Sequence, residues 1–138
     1  MLTIKDYLSQ AFTLDKLIRA REAQIQELRD KLCFVGSVSD GIKVQTSIKL
    51  DRMSEAVVRL MDMIAEYERD VLRLLTIKSE IKTYIDGVVN PVHQLILTER
   101  YINLKRWEDI ASDNNYSWNY LIYRLHPRAL NDMKKQKI

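Results

Sequence analysis

The chain has 138 residues, 46% hydrophobic and 30% charged, with only three glycines, two prolines and one cysteine. That is enough apolar material for one ordinary core and enough charge to keep it soluble, but little loop-forming material for an enzyme of many active-site loops. Cys33 alone excludes an internal disulfide or a multi-cysteine metal site, and 22 basic against 19 acidic side chains leave +3, too little to name a partner unless it is unevenly placed.

Apolar residues recur mostly at three- and four-residue spacing, which predicts an almost wholly helical, all-α chain. Residues 3 to about 33 read as a first helix, with Thr3 as N-cap and Asp6 three positions on. Its seam is Ala11, Leu14, Ile18, Ile25, Leu28 and Leu32, with Tyr7 and Arg21 at the remaining heptad-like positions. Residues 34 to about 50 hold Gly36, Ser37, Ser39, Asp40 and Gly41 and read as a linker, with room for a short extended piece at 42–44. A second helix over about 51–86 has the more regular seam Val57, Leu60, Ile64, Tyr67, Val71, Leu74, Lys78, Ile81 and Ile85. Steps of three and four over this length mark a coiled-coil surface. Together the two helices predict a long antiparallel hairpin, and its small core for its length favours a homo-oligomer, a dimer first.

Asp86-Gly87 punctuates the second helix and separates a domain 1–87 from a domain 88–138. Asn90 then caps a third helix with Pro91 in its first turn, running to about residue 101. Asn103 and Leu104 make a turn, Trp107–Asp113 a short fourth helix, residues 114–116 a second turn, and Ser117 caps a fifth helix from Trp118. Leu95, Ile96, Trp107, Ile110, Ala111, Leu121, Ile122 and Leu125 are spaced to make a three-helix core, with the small Ala111 at the close crossing that a helix-turn-helix requires.

Basic character gathers at this end: from Ser117 onward Arg124, Arg128, Lys134, Lys135 and Lys137 are set against Asp132 alone. Such a footprint favours a phosphate backbone. In helix-turn-helix geometry the helix after Ser117 enters the major groove of duplex DNA. Arg124 and Arg128 then suit phosphate or guanine, and Asn119 suits adenine, while a solvated helix face is the alternative for each. Ser117 stands at the same contact edge; Trp118 stacks on sugar or a thymine methyl, or else packs on the preceding turn; Tyr120 and Tyr123 divide between DNA and the hairpin. Lys105 and Arg106 reach the backbone across the groove.

Other residues carry less. Trp107 reads as core, and adjacent Glu99 and Arg100 as local ion pairing. His93 and His126 lack metal-ligand spacing, and there is neither a Gly-rich phosphate loop nor a nucleophile elbow, so neither an enzyme nor a cofactor or metal is expected. Charge interrupts every apolar stretch, so no membrane span or export segment is expected, and the location implied is cytoplasmic.

The stretch LTERYINLKRWEDIASDNNYSWNYLIYRLHPRAL resembles region 4 of the sigma-70 superfamily in Arg100-Tyr101, Trp107, Glu108, Ile110, Ala111, Ser117 and Arg124-Leu125-His126. Over nearly its full length, including VQTSIKLDRMSEAV and VVNPVHQLILTERYINLKRWEDIA, the chain is similar to the phage-encoded domain family of unknown function 1492, itself resembling RinA and ArpU type regulators of late phage genes. The resemblance implies a phage or prophage DNA-binding regulator that activates transcription of packaging and lysis genes, with host RNA polymerase as a further partner. A helical protein-interaction module without DNA readout is the alternative. Two departures from the pattern stand out: Pro127 should end or kink the recognition helix near His126, and Trp118 and Tyr120 stand where charged or small residues are usual.

Overall fold

A computed structural model describes the backbone of residues 3–38 and 46–135, and every regular element in them is a helix. The first helix, α1 (Ile4–Val38), starts where its cap predicts: Thr3 Oγ1 accepts the Asp6 N–H at 3.1 Å, and the Asp6 carboxylate accepts the Thr3 N–H at 3.3 Å. It runs past residue 33, and α2 (Thr46–Asp86) begins before residue 51, so the expected linker is helical at both ends. A glycine or serine costs a helix about 1 kcal/mol or less, which does not stop one already propagating. The middle of that linker, with the extended piece expected at 42–44, lies outside the described residues, as does Lys137.

The chain forms two compact units. In the unit Lys16–Leu72, Ile18 and Ile25 are buried while Leu28, Leu60, Ile64, Tyr67 and Val71 are half-buried. The Arg21 guanidinium bonds to Glu66 at 2.7 Å and to Asp70, and the Tyr67 hydroxyl donates to Glu22 at 2.8 Å. Val57, expected in the seam, is exposed.

The other unit joins Met1–Asp15 to Arg73–Ile138. Leu8, Ala11 and Leu14 of α1 are buried here, as are Leu74, Ile81 and Ile85 of α2. Leu8 is outside the expected seam. The Tyr7 hydroxyl donates to Glu80 at 3.0 Å and its ring meets Tyr84 edge-on; burial and the Glu80 carboxylate push its titration up to about 12. The division expected between residues 87 and 88 falls just after α2 ends, and this unit extends across it to include the last turns of α2.

The remaining helices of this unit are short. Asn90 Oδ1 accepts the Val92 N–H at 2.9 Å and opens α3 (Pro91–Leu97), which widens into a π-type turn over Thr98–Ile102. Leu104 reverses the chain at φ 54° ahead of α4 (Trp107–Asp113). The end of α4 is closed by Asn115 at φ 58°, with Tyr116 N–H donating to Ala111 O at 2.9 Å and Asn115 N–H to Ser112 O at 3.4 Å. Asparagine tolerates that left-handed position, and the two bonds satisfy carbonyls the helix end leaves open.

Next come α5 (Trp118–Tyr120), a second π-type turn over Leu121–Leu125 and α6 (His126–Lys134), without interruption. Of the two outcomes expected of Pro127, ending the run is therefore not the one found. Its ring would clash with the carbonyl four residues back in an α-helix. Here the preceding turn is wider, with the His126 N–H donating to Leu121 O five residues back, and Pro127 sits in the first turn of α6.

Ile96, Ile110, Ala111, Leu121 and Leu125 form one buried cluster with Trp107 and Tyr116 packed against it. Leu95, expected in this core, is 43% exposed, and Leu97 and Tyr101 are buried instead. Ile96 and Leu97 are adjacent, so the inward side of α3 is centred past Leu95, and the π-type turn then brings Tyr101 inward.

Candidate nucleic-acid interface

Ser117 is at φ −71° and ψ 147°, and its Oγ accepts the Tyr120 N–H at 3.2 Å. That cap starts the helical run 118–134, whose buried side chains are Leu121, Leu125, His126, Ala129 and Met133. The residues between them point outward: Trp118, Asn119, Tyr120, Tyr123, Arg124, Pro127, Arg128, Asn131 and Lys134 are all exposed. Seven of the nine predicted contact residues thus lie on one run, from Ser117 to Arg128.

Arg124 and Arg128, four residues apart, make no ion pair or hydrogen bond among the described residues. The single carboxylate on residues 117–135, Asp132, is half-buried and occupied: it contacts His93 Nδ1, tying α6 to α3, and lies 3.7 Å from Lys135 Nζ. Among the described residues, the outer side of the run is therefore basic with no local counter-charge at Arg124, Arg128 or Lys134. In water such guanidinium groups hold only mobile counterions, which a phosphate displaces.

The aromatic residues on this side interact with one another. Trp118 meets Tyr123 edge-on at 6.0 Å between centroids, and Tyr120 tilts against Tyr116 at 5.6 Å. Trp118 is 44% exposed and Tyr123 67%.

Lys105 and Arg106 differ from the arginines. Lys105 Nζ lies 3.1 Å from Asp113 and 3.8 Å from Glu99, and Arg106 Nε lies 3.2 Å from Asp109. These carboxylates raise the titration of both side chains, the hydrogen bond to Asp113 leading for Lys105 and that to Asp109 for Arg106. A phosphate at either cation has to compete with them.

Of the local ion pairing expected of Glu99 and Arg100, Glu99 makes one, 3.8 Å from Lys105 Nζ, and also accepts from Asn114 Nδ2 at 3.0 Å, while Arg100 makes none among the described residues. Arg100 lies between two rings, its guanidinium carbon 4.0 Å from the Phe12 centroid and 4.5 Å from that of Trp107, and donates to Lys105 O at 2.9 Å. Burial lowers its titration. Trp107, expected in the core, is half-buried against it, its ring centroid 4.4 Å from that of His126.

His126 is 7% exposed, and the Tyr101 hydroxyl lies 2.7 Å from its Nε2. Burial lowers the imidazole to about 4, with help from the positive charges of Lys5 and Arg100, and burial raises the Tyr101 phenol to about 12. The Tyr101–His126 pair is missed by sequence reading because its two members lie 25 residues apart.

Among the described residues no cluster of His, Cys, Asp and Glu could hold a metal ion, and no helix is long and apolar enough to cross a membrane. No family model, curated protein or solved structure matches the chain.

Proposed function

We propose that the protein is a non-enzymatic, DNA-binding transcriptional regulator, a long antiparallel α1–α2 hairpin followed by a three-helix helix-turn-helix that lays the run 118–134 in the major groove. The observation that carries this reading is the outer side of that run, where Arg124 and Arg128 are exposed with no carboxylate among the described residues to hold them. Asn119 and Trp118 stand at the leading end of the run, where base edges are met, and the arginines follow with phosphate or guanine. The resemblance to phage late-gene regulators supplies the biological setting: activation of packaging and lysis genes in the host cytoplasm, alongside host RNA polymerase. The hairpin serves as the oligomerisation element, and a two-fold dimer places two such runs about 34 Å apart on half-sites one turn apart.

The test is selection of purified protein on duplexes with a randomised core, then titration of the enriched duplex and a scrambled control over a salt series. An enriched motif and a steep salt dependence support the reading. Equal weak binding to both duplexes rejects it.

The exposed cluster of Trp118, Tyr120 and Tyr123 favours a second reading, a protein-interaction module with RNA polymerase or another regulator as partner. Aromatic residues are the usual anchors of such interfaces. Under that reading, alanine at Trp118 abolishes partner binding while alanine at Arg124 changes mainly its salt dependence.

A further inference from the structure

Residues of α1, the π-type turn after α3, α4 and the run 118–134 line an open cavity of about 240 Å³. Its lining comprises Lys5, Ser9, Arg100, Tyr101 and His126 on the polar side and Trp107, Ile122, Pro127 and Leu130 on the apolar side, and contains no carboxylate. The Glu108 carboxylate acts on Arg100 through its charge but forms no ion pair with it.

The Tyr101–His126 pair determines what the imidazole presents. The Tyr101 hydroxyl is buried and its one hydrogen-bond partner is His126 Nε2. A buried hydroxyl hydrogen needs an acceptor, so the hydroxyl donates and the imidazole carries its own proton on Nδ1. That Nδ1–H has no protein acceptor among the described residues, yet no side-chain nitrogen or oxygen there is both sealed from solvent and unpaired. Nδ1 therefore opens onto the cavity its ring lines.

Three donor groups thus border one small cavity that no carboxylate lines: the Lys5 ammonium, the remaining N–H groups of Arg100 and the His126 Nδ1–H, with the Ser9 hydroxyl beside them as donor or acceptor. Arg100 is held rigidly between Phe12 and Trp107, so little rotational freedom is lost when it binds. We infer that the cavity is a binding site for a small apolar carboxylate, whose oxygens take these donors and whose carbon frame lies against Trp107 and Leu130. The site is independent of the outer basic side of the run and stands whether or not the protein binds DNA.

Benzoate is a suitable probe, with benzamide as its neutral counterpart, and the Trp118→Phe variant leaves Trp107 as the sole indole. Benzoate should change the Trp107 emission saturably and move the His126 ring-nitrogen resonances, while benzamide should do neither. Lys5→Gln, an exposed change at the cavity mouth, should weaken benzoate binding about tenfold, the loss expected for one charge-assisted bond. No saturable response to benzoate, an equal response to benzamide, or unaltered affinity in Lys5→Gln would each overturn the assignment.

Discussion

The Tyr101 hydroxyl donates to Nε2 of His126 across 2.7 Å inside the C-terminal unit, joining the turn after α3 to the start of α6. Because His126 titrates near 4 when folded and near 6.5 when unfolded, the unfolded chain binds the proton more readily. The neutral imidazole's contribution is complete above pH 6.5 and is lost as pH falls towards 4, in the field of Lys5 and Arg100. Allowing for solvent screening at the cavity, the loss amounts to about 2 kcal/mol. Urea unfolding at pH 7 and pH 4.5 measures it, and a His126→Gln variant should show a smaller difference between the two.

Tyr101→Phe keeps the ring and removes the donor, leaving Nε2 buried without a partner. The expected cost is about 1–3 kcal/mol at pH 7, read as a lower urea midpoint at unchanged slope.

Arg124→Ala and Arg128→Ala should each lower affinity for the selected duplex and reduce the slope of log K against log salt by about 1, with stability changed by about 0.5 kcal/mol or less. Lys105→Ala should have the smaller effect on affinity, because Asp113 and Glu99 already hold that ammonium. Fluorescence anisotropy over a salt series compares the three. An equal effect of Lys105→Ala and Arg124→Ala would show that the local carboxylates do not matter to the interface.

Ile110 and Leu95 lie one in the cluster and one outside it. Ile110→Ala should cost about 2–5 kcal/mol through the cavity it leaves, and Leu95→Ala well under half of that. Denaturant melts of the two variants check the difference.

Ser117→Ala removes the oxygen that accepts the Tyr120 N–H and should cost about 1 kcal/mol. A thermal melt shows whether the loss is local to the run or destabilises the whole unit.

Local signals in the sequence proved legible where one residue type does one job. Thr3 with Asp6, Asn90 with Pro91, and Ser117 each cap the helix they were expected to cap, and α4 has the predicted bounds. Ile96, Ile110, Ala111, Leu121 and Leu125 were all legible as core. What escaped was set by geometry that a fixed period of 3.6 does not contain. The burial of Leu97 and Tyr101, and the passage of the helix through Pro127, both adjoin a turn one residue wider than an α-helix. The occupied state of Lys105 depends on Asp113 eight residues on, and the cavity depends on Lys5 meeting residues nearly a hundred positions later. Neither distance leaves a local signature.

The π-type turn over Leu121–Leu125 amounts to a single residue added to an α-helix, which makes the length of the chain here as consequential as its chemistry. Deleting one residue between 121 and 125 would restore regular winding and rotate everything beyond by about 100°. Ala129 and Met133 would swing out of the interior, and the proline ring would meet the carbonyl it now avoids. In a comparison of related chains, this segment should accept substitutions far more readily than any change in its number of residues.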